Sequence, residues 1–394
     1  MDGSSRLDYG PAGQRRLIQR GAREFLEREI APAVEECEKS LHPLPRETAV
    51  GFLKRLIPLG YIGGVTRQED GGDGLDYVSY GVLLEELART WPSLAVMTMV
   101  QSGQARFISE LGTPEQKVRY LPSLLSADLI SSLGMTEPNV GSSLRELKTT
   151  AAIDGKRYVV NGTKVWITNG TICDLCTLLV STDRTRGVEG ISLLLVDRRE
   201  SPFESRELHK LGLRCCPTGE LAFADCRVPK NSLMGEEGKG YYAGTKLLSL
   251  ARSCVAVVQV GIAQAAIDAA IKYARERTQF GRPIAKFQLV QEMIADMVVE
   301  TEAARLLTYK ALRLAGRRGG IHFTESSSAK YYACEAAART TARAIEVHGA
   351  YGISVECPTE RLFRDARTLF APDGTMEMHK LLIGSEVLGT GAFV

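Results

Sequence analysis

A chain of 394 residues exceeds a single typical domain, and 44% hydrophobic with 24% charged residues is the balance of a globular protein with a large core. A formal charge of +2 gives no electrostatic reason to bind nucleic acid or an anionic membrane surface. No apolar run approaches the ~18 residues of a membrane span. Residues 1–30 lack an apolar signal core, and Asp8, Glu24, Glu27 and Glu29 argue against a transit peptide, so a cytoplasmic location is expected.

The nine cysteines are an odd number scattered through the chain, which predicts reduced thiols. Cys173 and Cys176 form a CxxC inside the strand-like run TICDLCTLLV, with no second pair to complete a zinc site. A buried structural role is expected for them and for the vicinal Cys215 and Cys216. The histidines at 42, 209, 322, 348 and 379 show no ligand spacing, and no metal is expected.

The first third reads as helical. Leu17, Ile18, Ala22, Phe25, Leu26 and Ile30 recur at three- and four-residue spacing and stop at Pro32. Further helices are predicted over about 45–58, 77–90 and 95–111. Thr113, Pro114 and Gln116 supply an N-cap, a proline at the first helical position and a capping-box glutamine for the next. Asp70 to Gly74 is a loop that follows no strand, so it is no dinucleotide fingerprint.

The character changes near residue 128. Short β-type runs cover 148–153, 157–160, 164–168, 176–181, 191–196 and 220–223, with Asp154-Gly155 as a hairpin turn. Strands without alternating helices predict a small antiparallel barrel or sandwich over about 128–238. From Gly240 the chain is helical again, at about 241–276, 284–316, 324–348 and 375–389, with Gly319-Gly320 breaking the second from the third. The expected fold is α+β and mostly helical: a helical domain (1–127), a middle β domain (128–238) and a C-terminal four-helix bundle (239–394). Ligand sites concentrate where such units meet.

Near the C-terminus, a turn over His348 to Gly352 leads to a short basic segment with Arg361, Arg364, Asp365 and Arg367. A second turn, Pro372-Asp373-Gly374, opens a helix that Thr375 can cap. A carboxylate on such a turn can point into a cleft, while amides at the helix start welcome developing negative charge. That pairing suits proton abstraction beside a carbonyl, although Asp-Gly is also a common turn pair.

Four stretches together resemble the flavin-dependent acyl-CoA dehydrogenases. Met135-Thr136-Glu137-Pro138-Asn139-Val140-Gly141-Ser142-Ser143 is similar to their TEPGAGS signature, and Gly162 to Gly170 (GTKVWITNG) to their GxKxWITN strand. Arg277 to Pro283 with Gln288 to Gln291 resembles their RxxFG…Q segment, and Arg361 to Gly384 carries RxxRDAR and GTxxxxxxLIG. The resemblance spans nearly the whole chain. It implies a helical, β-barrel and four-helix-bundle layout, assembled as a homotetramer or dimer, with FAD as cofactor.

Residue by residue, the resemblance places Met135, Thr136, Gly141 and Ser142 against the isoalloxazine, Ser142 also lying near the thioester arm. Small residues and hydroxyls there let backbone N–H groups approach a flat ring closely. Trp166, Ile167 and Thr168 form the covering strand, with Trp166 and Thr168 on one face by the period of two; a buried structural Trp166 is the alternative. Arg277, Gln279, Phe280 and Gln288 hold the ADP half of a neighbouring subunit's FAD, and an arginine fork suits a pyrophosphate. Glu346, Val347, Gly349, Ala350, Thr375 and Glu377 complete the cofactor set, and Ser249, Arg252, Asp373 and Gly374 the substrate set.

Departures from the family pattern are informative. Asp373 stands where the family keeps its catalytic glutamate, and the alternative base position, just before Arg252, is Ala251. Aspartate withdraws the carboxylate by roughly 1.5 Å, one C–C bond; a nitroalkane-oxidase branch of the same fold does use aspartate. Glu346 replaces a glutamine, which would be unfavourable beside phosphates unless paired, for instance with His348 or an arginine. Leu94 to Met97 supplies no cation before Val100-Gln101-Ser102, against a dicarboxylic acyl group. The expected activity is α,β-dehydrogenation of an acyl thioester with Asp373 as base and an electron-transfer flavoprotein as acceptor. The alternatives are an acyl-carrier-protein thioester substrate, a flavin oxidase, or a flavin-binding protein without catalysis.

Overall fold

The computed structural model describes residues 12–316 and 322–392; the predicted Gly319-Gly320 break lies outside them. Six helices come first: α1 (Ala12–Glu29), α2 (Ala31–Lys39), α3 (Arg46–Leu56), α4 (Tyr77–Thr90), α5 (Pro92–Leu111) and α6 (Pro114–Leu125). Ala22, Leu26 and Ile30 form the buried stripe that the spacing predicted. Pro32 does not end helical structure; it lies in the first turn of α2, where its missing N–H costs nothing. The capping box of Thr113 and Gln116 opens α6 as expected.

Seven strands form one curled sheet: β1 (Ser131–Gly134), β2 (Thr150–Asp154), β3 (Arg157–Thr168), β4 (Leu175–Ser181), β5 (Ile191–Asp197), β6 (Glu204–Glu207) and β7 (Thr218–Pro229). The order is β1-β4-β2-β3-β7-β6, with β5 on β4. Most pairs are antiparallel, and Asp154 pairs with Arg157 across the predicted hairpin. β1 runs parallel to β4, as does the single Thr150–Ser181 pairing. β1 and β6 were not foreseen; each is four residues long and carries little periodicity. The two runs predicted around Gly162 are one strand with register shifts at Val160/Gly162 and Lys164/Ile167. Gly162 is required: a Cβ there would stand 2.7 Å from the Thr149 Cα. β4 and β5 are buried throughout, so Cys173 and Cys176 are core thiols, pushed up by burial to about 12 and about 11. Cys215 and Cys216 are buried as well.

The last third is α7 (Gly240–Glu276), a small hairpin of β8 (Thr278–Gln279) and β9 (Arg282–Pro283), α8 (Gln288–Ala315), α9 (Phe323–His348), α10 (Pro358–Thr368) and α11 (Met376–Leu388). α7 carries an 18-residue stretch of mean hydropathy 1.8, long and apolar enough to cross a membrane, but 78% of that stretch is buried inside the protein. It is the central helix, packed on α4, α8, α9 and α10. The segment expected to be merely basic is the helix α10. Its Asp365 accepts a 2.5 Å hydrogen bond from the Leu213 amide, and Thr368 accepts one from the Gly212 amide at 2.9 Å. The bundle is thereby bound to the loop before β7.

A buried polar chain joins the first helices to the bundle. Arg305 of α8 donates to Glu85 of α4 at 3.0 Å and to Gln264 of α7 at 2.9 Å, and Tyr309 donates to Glu85 at 2.8 Å. Gln264 continues to Asp268, which accepts from Arg89. Removing one member of a buried charged pair strands the other, so such a chain fixes the relative placement of the helices.

Candidate active site

The TEP stretch and β3 are clasped by a buried ion pair. Lys164 is fully buried, and its Nζ donates to Glu137 Oε1 at 2.9 Å and to the Met135 carbonyl at 3.1 Å. Glu137 also accepts from the amides of Lys148 and Thr149, each at 2.8 Å. Burial lowers the Lys164 ammonium to about 8. Burial would raise the Glu137 carboxyl, but Lys164 and the Thr149 donors hold it below the ordinary range. The Val165 amide donates to the Thr136 carbonyl at 2.9 Å, completing the seam. Met135 is buried beneath it, Thr136 is half-buried, and Gly141 and Ser142 lie on the exposed loop beyond.

Within the second register shift, between Lys164 and Ile167, the strand turns its indole outward. Trp166 has φ 63° and is 58% exposed, Ile167 is buried, and Thr168 is half-buried. The buried-core reading of Trp166 is therefore wrong; Trp91 is the core tryptophan, and its Nε1 donates to Glu38 at 2.7 Å. Asn169, next along and fully buried, donates to the carbonyls of Met97 and Ser131. Gln101 of α5 accepts from the Ser131 amide at 2.8 Å and donates to the Leu124 and Leu129 carbonyls. These two amides pin the Trp166 strand to α5 and β1.

Arg277, Gln279, Phe280 and Gln288 occupy the β8–β9 hairpin and the start of α8, all exposed. Phe280 has φ 49° and is 92% exposed. Among the described residues its ring meets Phe287 edge-on at 6.1 Å. At the end of α9, Glu346 is exposed, Val347 buried, and Gly349 (φ 59°) and Ala350 exposed. The pairing with His348 that could have offset the Glu346 charge is not made: the His348 ring is buried, donates through Nδ1 to the Ala344 carbonyl at 2.7 Å and stacks on Tyr273. No ion pair joins Glu346 to an arginine among the described residues.

The turn from Leu369 to Gly374 brings Arg252, Asp373 and Gly374 together. Asp373 is left-handed (φ 58°), a conformation that costs a non-glycine residue about 1–3 kcal/mol unless its surroundings impose it. Arg252, buried on α7, donates through Nε to the Asp373 carbonyl at 3.0 Å, leaving its buried Nη1 without a partner among the described residues. Gly374 has φ 111°, and a Cβ there would stand 3.3 Å from the ring of His379, so glycine fits on both counts. Thr375 caps α11 by accepting from the Met378 amide, and Glu377 is exposed on its first turn. Ser249, one turn before Ser253 on α7, donates to Ser326 at 3.3 Å.

The Asp373 residue is half-buried, and its carboxylate accepts no hydrogen bond among the described residues. Burial raises its carboxyl above the ordinary value, while Lys330 and then Arg252 pull it back. Burial lowers the Arg252 guanidinium, opposed by Asp373. Two neighbours were not foreseen. Lys330 of α9 is fully buried and donates to the carbonyls of Phe370, Pro372 and Gly374. His379 is fully buried with neither ring nitrogen in a well-formed hydrogen bond among the described residues, and burial, then Lys330 and Arg252, lower it to about 3 against a weak pull from the Gly374 backbone. Lys330 was legible: Ser326, Ala329, Lys330, Ala333, Cys334 and Ala337 repeat at helical spacing, which places a lysine on the inward stripe.

Three family models match the chain in order: the acyl-CoA dehydrogenase N-terminal domain at residues 13–128, the middle domain at 132–226 and the C-terminal domain at 238–388. The short-chain-specific acyl-CoA dehydrogenase of Clostridium acetobutylicum is 35% identical over 384 residues, covering 97% of this chain and 100% of that protein. The glutaryl-CoA dehydrogenase of Mycobacterium smegmatis, solved in complex with FADH2, superposes with a TM-score of 0.90 at 31% identity, covering 98% of this chain and 97% of that one. The prolyl acyl carrier protein oxidase AnaB superposes with a TM-score of 0.87 at 28% identity, covering 95% and 99%. With its three matched domains, its clasped TEP stretch and its carboxylate-bearing turn, the chain belongs to the acyl-CoA dehydrogenase family of oxidoreductases.

Proposed function

We propose that this protein oxidises an acyl-CoA thioester to the α,β-enoyl thioester, with Asp373 removing the α-proton. The observation that carries this is the Asp373 carboxylate: it is raised by burial, accepts no hydrogen bond among the described residues and is fixed on a turn whose main chain is held from beneath. A base so placed keeps its lone pairs for the substrate, and burial, by raising its carboxyl, makes it a stronger proton acceptor once ionised. The amides at the start of α11 face the same turn and favour negative charge developing on the thioester oxygen.

The residues present fit FAD. An outward indole at Trp166, the hydroxyls of Thr136, Ser142 and Thr168, and an exposed loop at Gly141 suit a flat ring with polar edges. Arg277, Gln279 and Gln288 are exposed donors suited to phosphate oxygens. When bound, FAD supplies the hydride acceptor for the β-hydrogen. Assembly as a homotetramer, in which the Phe280 hairpin completes a neighbouring subunit's site, is supported by an aromatic ring 92% exposed. Reoxidation by an electron-transfer flavoprotein in the cytoplasm completes the reading. Leu94 to Met97 are buried and apolar, which argues against a dicarboxylic acyl group.

The likeness to AnaB favours a second reading, in which the thioester is presented on an acyl carrier protein. Anaerobic mixing of the yellow protein with acyl-CoA and acyl-carrier thioesters, followed by flavin absorbance, separates the two. Bleaching by CoA thioesters supports the first reading and bleaching by carrier thioesters alone the second. No bleaching by any thioester refutes both, and bleaching retained in Asp373→Asn removes the base assignment.

A further inference from the structure

We propose that Lys330 is a positioning residue for the catalytic turn, its buried ammonium tying the main-chain carbonyls on both sides of Asp373. The proposal rests on the reading of Asp373 as the base. The turn between α10 and α11 has no regular structure, so its carbonyls lack ladder partners. Side chains from α7 and α9 supply them instead. Cys334 donates to the Leu369 carbonyl at 3.6 Å, and Arg252 donates to that of Asp373 at 3.0 Å. Lys330 donates to Phe370 at 3.4 Å, to Gly374 at 2.5 Å and to Pro372. Every carbonyl from 369 to 374 except that of Ala371 is thus tied, and Lys330 holds three of them. An ammonium has three donors, and all three are used.

The tether matters more here than beneath a longer base. Asp373 reaches one methylene less far than glutamate, and a shift on the order of 1 Å can cost ~100-fold in rate. Lys330 also acts through its charge. No carboxylate lies within ion-pair distance of it among the described residues, and it draws the Asp373 carboxyl downward against burial. The other groups facing this cluster are Arg252 and Cys254 on α7, Cys334 on α9 and His379 on α11. Arg252 pulls the Asp373 carboxyl the same way, second to Lys330, and neither cysteine nor His379 adds a pull of this kind.

The test compares Lys330→Met, which removes donors and charge, with Lys330→Gln, which keeps two N–H donors without charge. Three readouts serve: kcat and KM on the thioester that bleaches the flavin, the pH dependence of kcat, and hydrogen exchange of the 371–375 amides in flavin-free protein. In Lys330→Met, kcat is expected to fall on the order of 100-fold with KM little changed, since the loss falls on the transition state. The acid limb moves to higher pH in both variants, because a cation that favoured ionised Asp373 is gone. The turn amides exchange faster in Lys330→Met than in wild type. A purely packing role would leave the acid limb in place. Wild-type kcat with an unmoved acid limb in either variant overturns the proposal; if the methionine variant is insoluble, Lys330→Gln decides. Should Asp373→Asn retain bleaching, the base reading falls separately, and exchange then judges the tether alone: faster supports it, unchanged refutes it.

Discussion

Lys164 and Lys330 are both wholly buried, and each holds a signature stretch of the chain by its main chain. Lys164 meets a buried carboxylate, Glu137, at 2.9 Å and spends its charge within the pair. Lys330 meets carbonyls and leaves its charge to act on Asp373. The first arrangement is a clasp that locks the TEP loop to β3. The second is a tether whose charge also sets the base. Burial opposes both ammonium groups, yet removing the first should register mainly in folding and removing the second mainly in chemistry.

The largest effect tests whether the tethered carboxylate is the base at all. Asp373→Asn is expected to slow anaerobic flavin reduction by roughly 10²–10⁴-fold, the usual worth of a general base, while its melting temperature stays near wild type. Lys164→Met comes next, because it strands Glu137. A loss of ~3–5 kcal/mol is expected in denaturant titration, partly restored by Glu137→Gln in the same chain. If Lys164→Met folds as stably as wild type, the clasp is not structural and the contrast between the lysines disappears.

Asp365 gives a pH test. Burial first, and then Glu38, raise its carboxyl above the ordinary range, so between that range and its folded value the native state holds a proton that the unfolded chain has lost. Stability should therefore fall as pH rises through that window, by up to about 1.4 kcal/mol per pH unit. Asp365→Asn keeps an acceptor for the Leu213 amide and should flatten that slope in melts taken across acid to neutral pH. Thr375→Ala should cost ~1 kcal/mol by uncapping α11 and sharpens how much of the turn's order comes from the helix start rather than from Lys330. Smallest is Trp166→Ala in flavin-free protein, within about 0.5 kcal/mol because the ring is exposed; the same change should lower flavin content measured by absorbance.

Much of the fold was legible. The long bundle helices, the capping box at Thr113 and the Asp154-Gly155 hairpin follow from periodicity and turn chemistry, which are local properties. Elements that depend on partners were harder. β1 exists because it pairs with β4, about 44 residues away, and α10 exists because Asp365 and Leu362 are buried against the rest of the fold. The first helix does end just before Pro32, at Glu29, but proline marks a start as readily as a stop, and the second helix it opens was not foreseen.

At the site, the sequence alone named Asp373, its turn, the Thr375 cap and the Trp166 strand, since each lies in a contiguous motif. Lys330 was not named, although the helical spacing of Ser326 to Ala337 puts it on an inward stripe; a stripe does not say what the ammonium meets. Only the tertiary structure set Lys330 beneath residues 370–374, paired Lys164 with Glu137 across 27 residues, turned Trp166 outward and left His348 stacked on Tyr273 rather than paired with Glu346. Those outcomes belong to the packing of α7, α9 and β3 against distant chain, where a buried charge takes whichever partner the fold brings within reach, because it cannot remain alone.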